Sequence, residues 1–181
     1  MIETWVIVKR DIEVITVPFG SAMNLPSGTQ VRLTQKGGGS YTVVTDLGIM
    51  CRVEPKDADA IGEIPDDNAI EASADPNAPY DEARVWEQLR TVYDPEIPVN
   101  IVDLGLVYGL TSEPLPQGGH KVSIRMTMTA PGCGMGDIIK RDVEQKVASV
   151  PGVGEVHVEI VLDPPWSLDR LTEAVRLQLG L

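Results

Sequence analysis

The chain reads as α+β: an α-β-β-α-β-α sandwich in its C-terminal part, preceded by a small all-β domain. Three observations carry that reading. Residues 1–55 hold β-branched runs separated by Gly and Pro turns, with no helical period. Residues 56–79 carry one lysine against seven acidic residues, the composition of a solvated linker. Residues 80–181 switch between helical and strand periods.

In the first domain, residues 14–17, 29–34 and 41–45 are predicted strands, and 49–53 a fourth. Pro26-Ser27-Gly28 and Gly37-Gly38-Gly39 supply turns between them. A small barrel or roll follows. Its charge is neutral, five basic residues against five acidic ones.

The C-terminal domain, residues 80–181, opens with a helix over 81–92, because Val85, Leu89 and Val92 fall on one face. Asp94-Pro95-Glu96-Ile97-Pro98 ends it, since proline cannot continue a helix. Residues 104–110 and 121–128 are predicted strands, joined by a turn holding Pro114, Pro116, Gly118 and Gly119. A helix over 136–150 puts Ile139, Val143, Val147 and Val150 on one stripe. Residues 154–161 alternate Val156, Val158 and Ile160 with His157 and Glu159, a strand with one buried face. Ser167 can cap a last helix running to Leu179, with Gly180 at its end.

Composition narrows the function classes. The 181 residues are 43% hydrophobic and only 4% aromatic, so the core must be mostly Val, Ile and Leu. A net charge of −12 argues against nucleic acid and anionic membranes, which select clustered Lys and Arg. No apolar run approaches the roughly 20 residues of a membrane helix. Met1-Ile2-Glu3-Thr4-Trp5 lacks a basic stretch leading into an apolar one, so no signal peptide is expected. Cys51 and Cys133 are too few and too far apart for a disulfide framework, and a reducing cytoplasm is the expected compartment. His120 and His157 do not complete a zinc spacing with them.

Cys133 is the leading functional candidate. It lies between Gly132 and Gly134, where a strand gives way to a helix. The unpaired N–H groups and positive dipole end of a helix N-terminus favour thiolate over thiol. Free cysteine is commonly a buried, inert small hydrophobe, and that role suits Cys51 in its apolar strand pattern. Asp94, Glu96 and Asp103 are the candidate carboxylates. Local turn bonding explains Asp94 as well as function does. Ligation, proton transfer or a conformational clamp would explain why Glu96 and Asp103 crowd one short stretch. Thr129 either belongs to a plain strand pattern or steadies the cysteine loop. Trp166, in Asp163-Pro164-Pro165-Trp166, is either a half-buried turn residue or a partner anchor.

At these residues the chain resembles a known family. Tyr93-Asp94-Pro95-Glu96-Ile97-Pro98, Ile101-Val102-Asp103-Leu104-Gly105-Leu106-Val107-Tyr108, Met128-Thr129-Ala130-Pro131-Gly132-Cys133 and Asp163-Pro164-Pro165-Trp166 resemble the metal–sulfur cluster assembly domain also seen in PaaD proteins. Lys9-Arg10-Asp11, Leu25-Pro26-Ser27-Gly28-Thr29, Gln35-Lys36-Gly37-Gly38-Gly39-Ser40-Tyr41-Thr42-Val43 and Lys56-Asp57-Ala58-Asp59-Ala60-Ile61-Gly62 look like the N-terminal extension of SufT proteins. The resemblance implies a bacterial cytoplasmic factor in iron–sulfur protein maturation, accessory rather than enzymatic. It places the family's reactive cysteine on Cys133, its acidic motifs on Asp94, Glu96 and Asp103, and its threonine on Thr129.

Iron–sulfur clusters usually take four cysteine ligands. One exposed cysteine therefore implies a transient cluster or iron, shared with a second subunit, a small thiol or a client, and no stable cofactor. The expected partners are the assembly machinery and client apo-proteins, with a homodimer as a natural form. A metal-free adaptor is the alternative, recruiting partners through the Trp166 region, the acidic linker and the β domain. A thiol enzyme is a third reading, weakened by the lack of a histidine motif near the cysteine loop.

Overall fold

The computed structural model describes residues 5–37, 39–64, 75–130 and 134–181. They divide into two units. The described residues of the first are 5–37, 39–64, Pro95–Pro98, Gly134 and Met135; the second holds 75–94, 99–130 and 136–181.

The first unit is built on a six-stranded antiparallel sheet. Its strands are β1 (Trp5–Ile7), β2 (Ile12–Thr16), β3 (Ala22–Leu25), β4 (Gln30–Gly37), β5 (Ser40–Thr45) and β6 (Met50–Val53), in the order β1-β4-β5-β6-β2-β3. Leu33 pairs with Val43, and Val43 with Cys51, so apolar side chains line up across neighbouring strands. Val14, Val31, Tyr41, Val43, Cys51 and Val53 fill the core.

The boundary drawn at residue 55 from composition falls inside this unit. Pro55–Ile61 forms a 3-10 helix that buries Ala58, Ala60 and Ile61 in the same core. Arg10 fastens it through ion pairs to Asp57 at 2.9 Å and Asp59 at 2.7 Å. The hydrogen bonds from Arg10 hold the Asp59 carboxyl below its ordinary range. Acidic composition hid this helix because its buried alanines alternate with those carboxylates.

The second unit mixes helices with a three-stranded sheet, an α+β arrangement. Its elements are α1 (Glu82–Leu89), β7 (Val107–Pro114), β8 (His120–Met126), α2 (Gly136–Ala148), β9 (Val153–Ile160) and α3 (Glu173–Leu179). The Asp81 carboxylate accepts the Ala83 N–H and caps α1. β7 and β8 are antiparallel, β8 and β9 parallel, with α2 as the crossover that a parallel pair requires. Ile139, Val143 and Val147 form the buried stripe of α2.

Tertiary contacts shift several predicted bounds. The first of the two strands starts at Val107 rather than 104, because the N–H groups of Leu104, Gly105 and Leu106 turn back to the carbonyls of Asn100, Val102 and Ile101. The last helix is split. Leu168–Arg170 is a 3-10 turn, Leu171 is extended, and the Thr172 N–H goes to the Asp103 carbonyl before α3 begins. Residues 75–79, read as linker, belong to the second unit; there the Gly152 N–H donates to the Asp75 carbonyl. Among the described residues no helix is long and apolar enough to cross a membrane.

Candidate functional site

Three of the motif segments meet at one end of the β7-β8-β9 sheet. That end is marked by the start of β7 at Val107, the end of β8 at Met126 and the end of β9 at Ile160. The Thr127 N–H donates to the Leu106 carbonyl at 2.8 Å, and the Val161 N–H donates to the Met126 carbonyl at 2.8 Å. The Trp166 indole N–H donates to the Leu104 carbonyl at 2.8 Å, and the Tyr108 hydroxyl to the Pro164 carbonyl at 2.8 Å. Segments far apart in sequence are thereby tied by hydrogen bonds of ordinary length.

Asp103 sits in a local Asx turn. The Asn100 side-chain carbonyl accepts the N–H groups of Val102 and Asp103, and the Asn100 amide donates to the Asp103 carboxylate at 2.8 Å. Asp94 is only 2% exposed, with its N–H on the Val99 carbonyl. Its neighbour Val92 accepts from Ile101, so Asp94 and Asp103 belong to one closed loop. Gly105 lets the chain turn at a φ of +69°, and a Cβ there would lie 2.3 Å from the Arg170 carbonyl oxygen. Glycine is required at that point for both reasons. The Arg170 guanidinium lies 4.0 Å from the centre of the Tyr108 ring, close enough for a cation–π contact.

Thr129 is half-buried three residues past the end of β8. Trp166 is half-buried, while Leu162, Pro164, Pro165 and Leu168 around it are exposed. Glu96 is exposed and belongs to the first unit, where the Thr42 hydroxyl reaches the Pro95 carbonyl at 3.5 Å. Gly134 is exposed and also belongs to the first unit. Cys133 and Gly132 lie outside the described residues.

Cys51 is fully buried, and burial pushes its thiol up from the ordinary range. Asn100, Tyr108 and Arg170 were missing from the sequence-derived site. Asn100 carried a usable signal, an Asn three residues before an Asp in a turn. Tyr108 carried only its place at the end of a family motif and Arg170 no signal, because their contact spans 62 residues.

The comparisons with known proteins come to the same stretch. A family model described as iron–sulfur cluster assembly protein matches residues 82–158. A Fe-S protein maturation auxiliary factor of Porphyromonas gingivalis is 44% identical over 99 residues, covering 55% of this chain and 90% of that protein. The chain belongs to this iron–sulfur cluster assembly family. Another member, the Fe-S protein maturation auxiliary factor SufT of Staphylococcus aureus, is 36% identical over 90 residues, 50% of this chain and 98% of that one. A crystal structure of a Bacillus anthracis domain of unknown function, DUF59, shares 39% identity at a TM-score of 0.50, over 55% of this chain and 92% of that one. The likeness to each of these three relatives thus spans about half of the present chain.

Proposed function

We propose that the chain is an accessory factor that assembles or transfers iron–sulfur clusters to client proteins, with Cys133 as a transient ligand or reactive thiol. The observation that carries this is the convergence of the Asp103, Met126–Thr129 and Asp163–Trp166 segments at the end of β8 that leads into residues 131–133. The maturation role in the names of the P. gingivalis and S. aureus relatives supports it.

Chemistry sets the form of the activity. The cluster is cargo, and four thiolate ligands are its usual demand. The chain has two cysteines, and Cys51 is buried in the first unit's core. Cys133 therefore shares cargo with a second copy, a small thiol or the client. Shared ligation lets the cluster leave, which transfer requires. α2 begins three residues past Cys133, so its positive end is near along the chain and favours the thiolate. No group on the chain is assigned a catalysed reaction, and the proposed setting is the cytoplasm.

The test is anaerobic incubation with iron and sulfide, followed by UV–visible and Mössbauer spectra of wild type and Cys133→Ser. A cluster signature that needs Cys133 supports the carrier. Client maturation that stays normal in Cys133→Ser overturns it. The exposed Leu162, Pro164, Pro165 and Leu168 favour a second reading, a metal-free adaptor that grips partners through this ledge. In that case Cys133→Ser retains client binding in pull-downs and Leu168→Asp loses it.

A further inference from the structure

The first unit holds a cleft of about 580 Å³, within the size range of ligand pockets. One wall is β3 with the turn that follows it, and the other is the turn between β5 and β6. Met23, Asn24 and Leu25 all line it. Side chains alternate along a strand, so three consecutive residues meet one cleft at the strand's edge rather than on one face.

That edge is open. β3 stands last in its sheet, and among the described residues it pairs with β2 alone. Alternate N–H and C=O groups of β3 therefore point away from the sheet. The opposite wall closes on itself and on β4. The Thr45 N–H goes to the Ile49 carbonyl, the Gly48 N–H to the Thr45 carbonyl and the Asp46 N–H to the Gln30 carbonyl. The Ile49 N–H goes to the Thr45 hydroxyl. That wall presents side chains instead, with Leu47 81% and Ile49 38% exposed. Asp46 is exposed beside them and is the one charged residue among the described residues that line the cleft. Glu13, exposed and paired with Asn24, adds a second carboxylate next to β3.

We propose that this cleft takes an extended peptide of a partner protein, which adds to β3 as a further strand. Its backbone pairs with the open edge of β3, an apolar side chain rests on Leu47 and Ile49, and a basic side chain meets Asp46. Single exposed leucines are ordinary on a protein surface. Here two apolar side chains and a carboxylate border an unpaired strand edge, and together they specify the occupant. Charge selects against a second copy of the chain. Another β3 edge would bring further carboxylates and no basic residue from its cleft lining. β3 has four residues, so the contact is short and the complex exchanges quickly. The inference does not depend on Cys133 or on cluster transfer.

The test titrates the full chain, labelled with nitrogen-15, with three capped peptides and follows backbone amides by NMR. The first is Lys-Ile-Thr-Val-Lys. The second replaces both lysines with glutamate. The third is the basic peptide N-methylated at Ile and Thr, so that one lost N–H faces β3 in either register. The basic peptide should shift the amides of Met23, Asn24, Leu25, Leu47 and Ile49. The acidic and N-methylated peptides should bind roughly 10-fold more weakly. Leu47→Asp should weaken the basic peptide by a similar factor. Asp46→Lys should reverse the preference between the basic and acidic peptides. Both side chains are exposed, so wild-type melting temperatures are expected for these variants.

Absence of shifts with the basic peptide, or shifts confined to other elements, overturns the proposal. Equal binding of the N-methylated peptide overturns strand addition, and an unchanged charge preference in Asp46→Lys overturns the role of Asp46. Shifts of the same amides on concentrating the chain without peptide would show a second copy on the edge and overturn the peptide as occupant. None of these readouts involves iron, so this inference and the carrier reading fail separately.

Discussion

The two ends of the β7-β8-β9 sheet close in different ways. At the Met126 end, side-chain donors do the work: the Trp166 indole reaches the Leu104 carbonyl and the Tyr108 hydroxyl reaches the Pro164 carbonyl. At the His120 end, Asp75–Tyr80 lies over the turns. The Gly152 N–H meets the Asp75 carbonyl, and the Tyr80 ring stacks on His120 at 4.3 Å between centroids. The Tyr80 hydroxyl is buried there with no hydrogen-bond partner among the described residues. One end fixes loop backbones by directed bonds from specific side chains to backbone carbonyls. The other closes by stacking and backbone contact and tolerates an orphaned hydroxyl. Directed bonds at the Met126 end suit the site proposed at Cys133, whereas the opposite end needs only to be shut.

The contrast breaks most visibly through Cys133→Ser. Maturation of a client enzyme should fall to background while the melting temperature stays at the wild-type value, and Tyr80→Phe should leave maturation intact. Activity of a co-expressed iron–sulfur enzyme reads both. Next comes Gly105→Ala, which strains a positive φ and drives a methyl group toward the Arg170 carbonyl. A loss of about 3 kcal/mol is expected in urea unfolding. A loss under about 1 kcal/mol would mean that the Arg170 segment yields easily.

Trp166→Phe and Tyr80→Phe form a matched pair, one at each end. The first removes the donor to Leu104 and should cost about 1 kcal/mol. The second removes a hydroxyl that has no partner among the described residues and should be neutral or slightly stabilising, within about 0.5 kcal/mol. Equal losses in the two would erase the difference between the ends.

The smallest effect lies away from both ends, at Arg10. Asp59 is held low by Arg10, so its stabilising share is present above the ordinary carboxylate range. That share fades as pH falls through the lowered value. Arg10→Met should flatten this acid limb in thermal melts taken from pH 6 to pH 2.5. The groups are exposed, so the change in midpoint should be slight.

Much of the second unit could be read from local pattern. The Ile139, Val143 and Val147 stripe is enough to specify α2, because a helix needs one continuous apolar face and little else. β9 follows from alternation for the same kind of reason. The short β1 and β3 were not legible. Three or four residues carry too little pattern, and their pairing with β4 and β2 decides them. The 3-10 helix of Pro55–Ile61, which overlaps the predicted linker from residue 56, is not legible because alanine burial depends on which sheet covers it. Of the candidate site, the residue types in the Asp103 and Trp166 motifs were visible. Their bonds were not, since the Trp166 indole and the Leu104 carbonyl lie 62 residues apart.

Sequence by itself determined which segments are periodic, where the turns fall, and that only one of the two cysteines sits among glycines. These follow from side-chain chemistry over a few neighbouring residues. Tertiary structure alone decided that Thr172 breaks the last helix to reach Asp103, that the Trp166 indole reaches the Leu104 carbonyl, and that Gly20 lies against Gly134. Each of those is a hydrogen bond or a van der Waals limit between atoms that only the folded chain brings within 3 Å or so of each other.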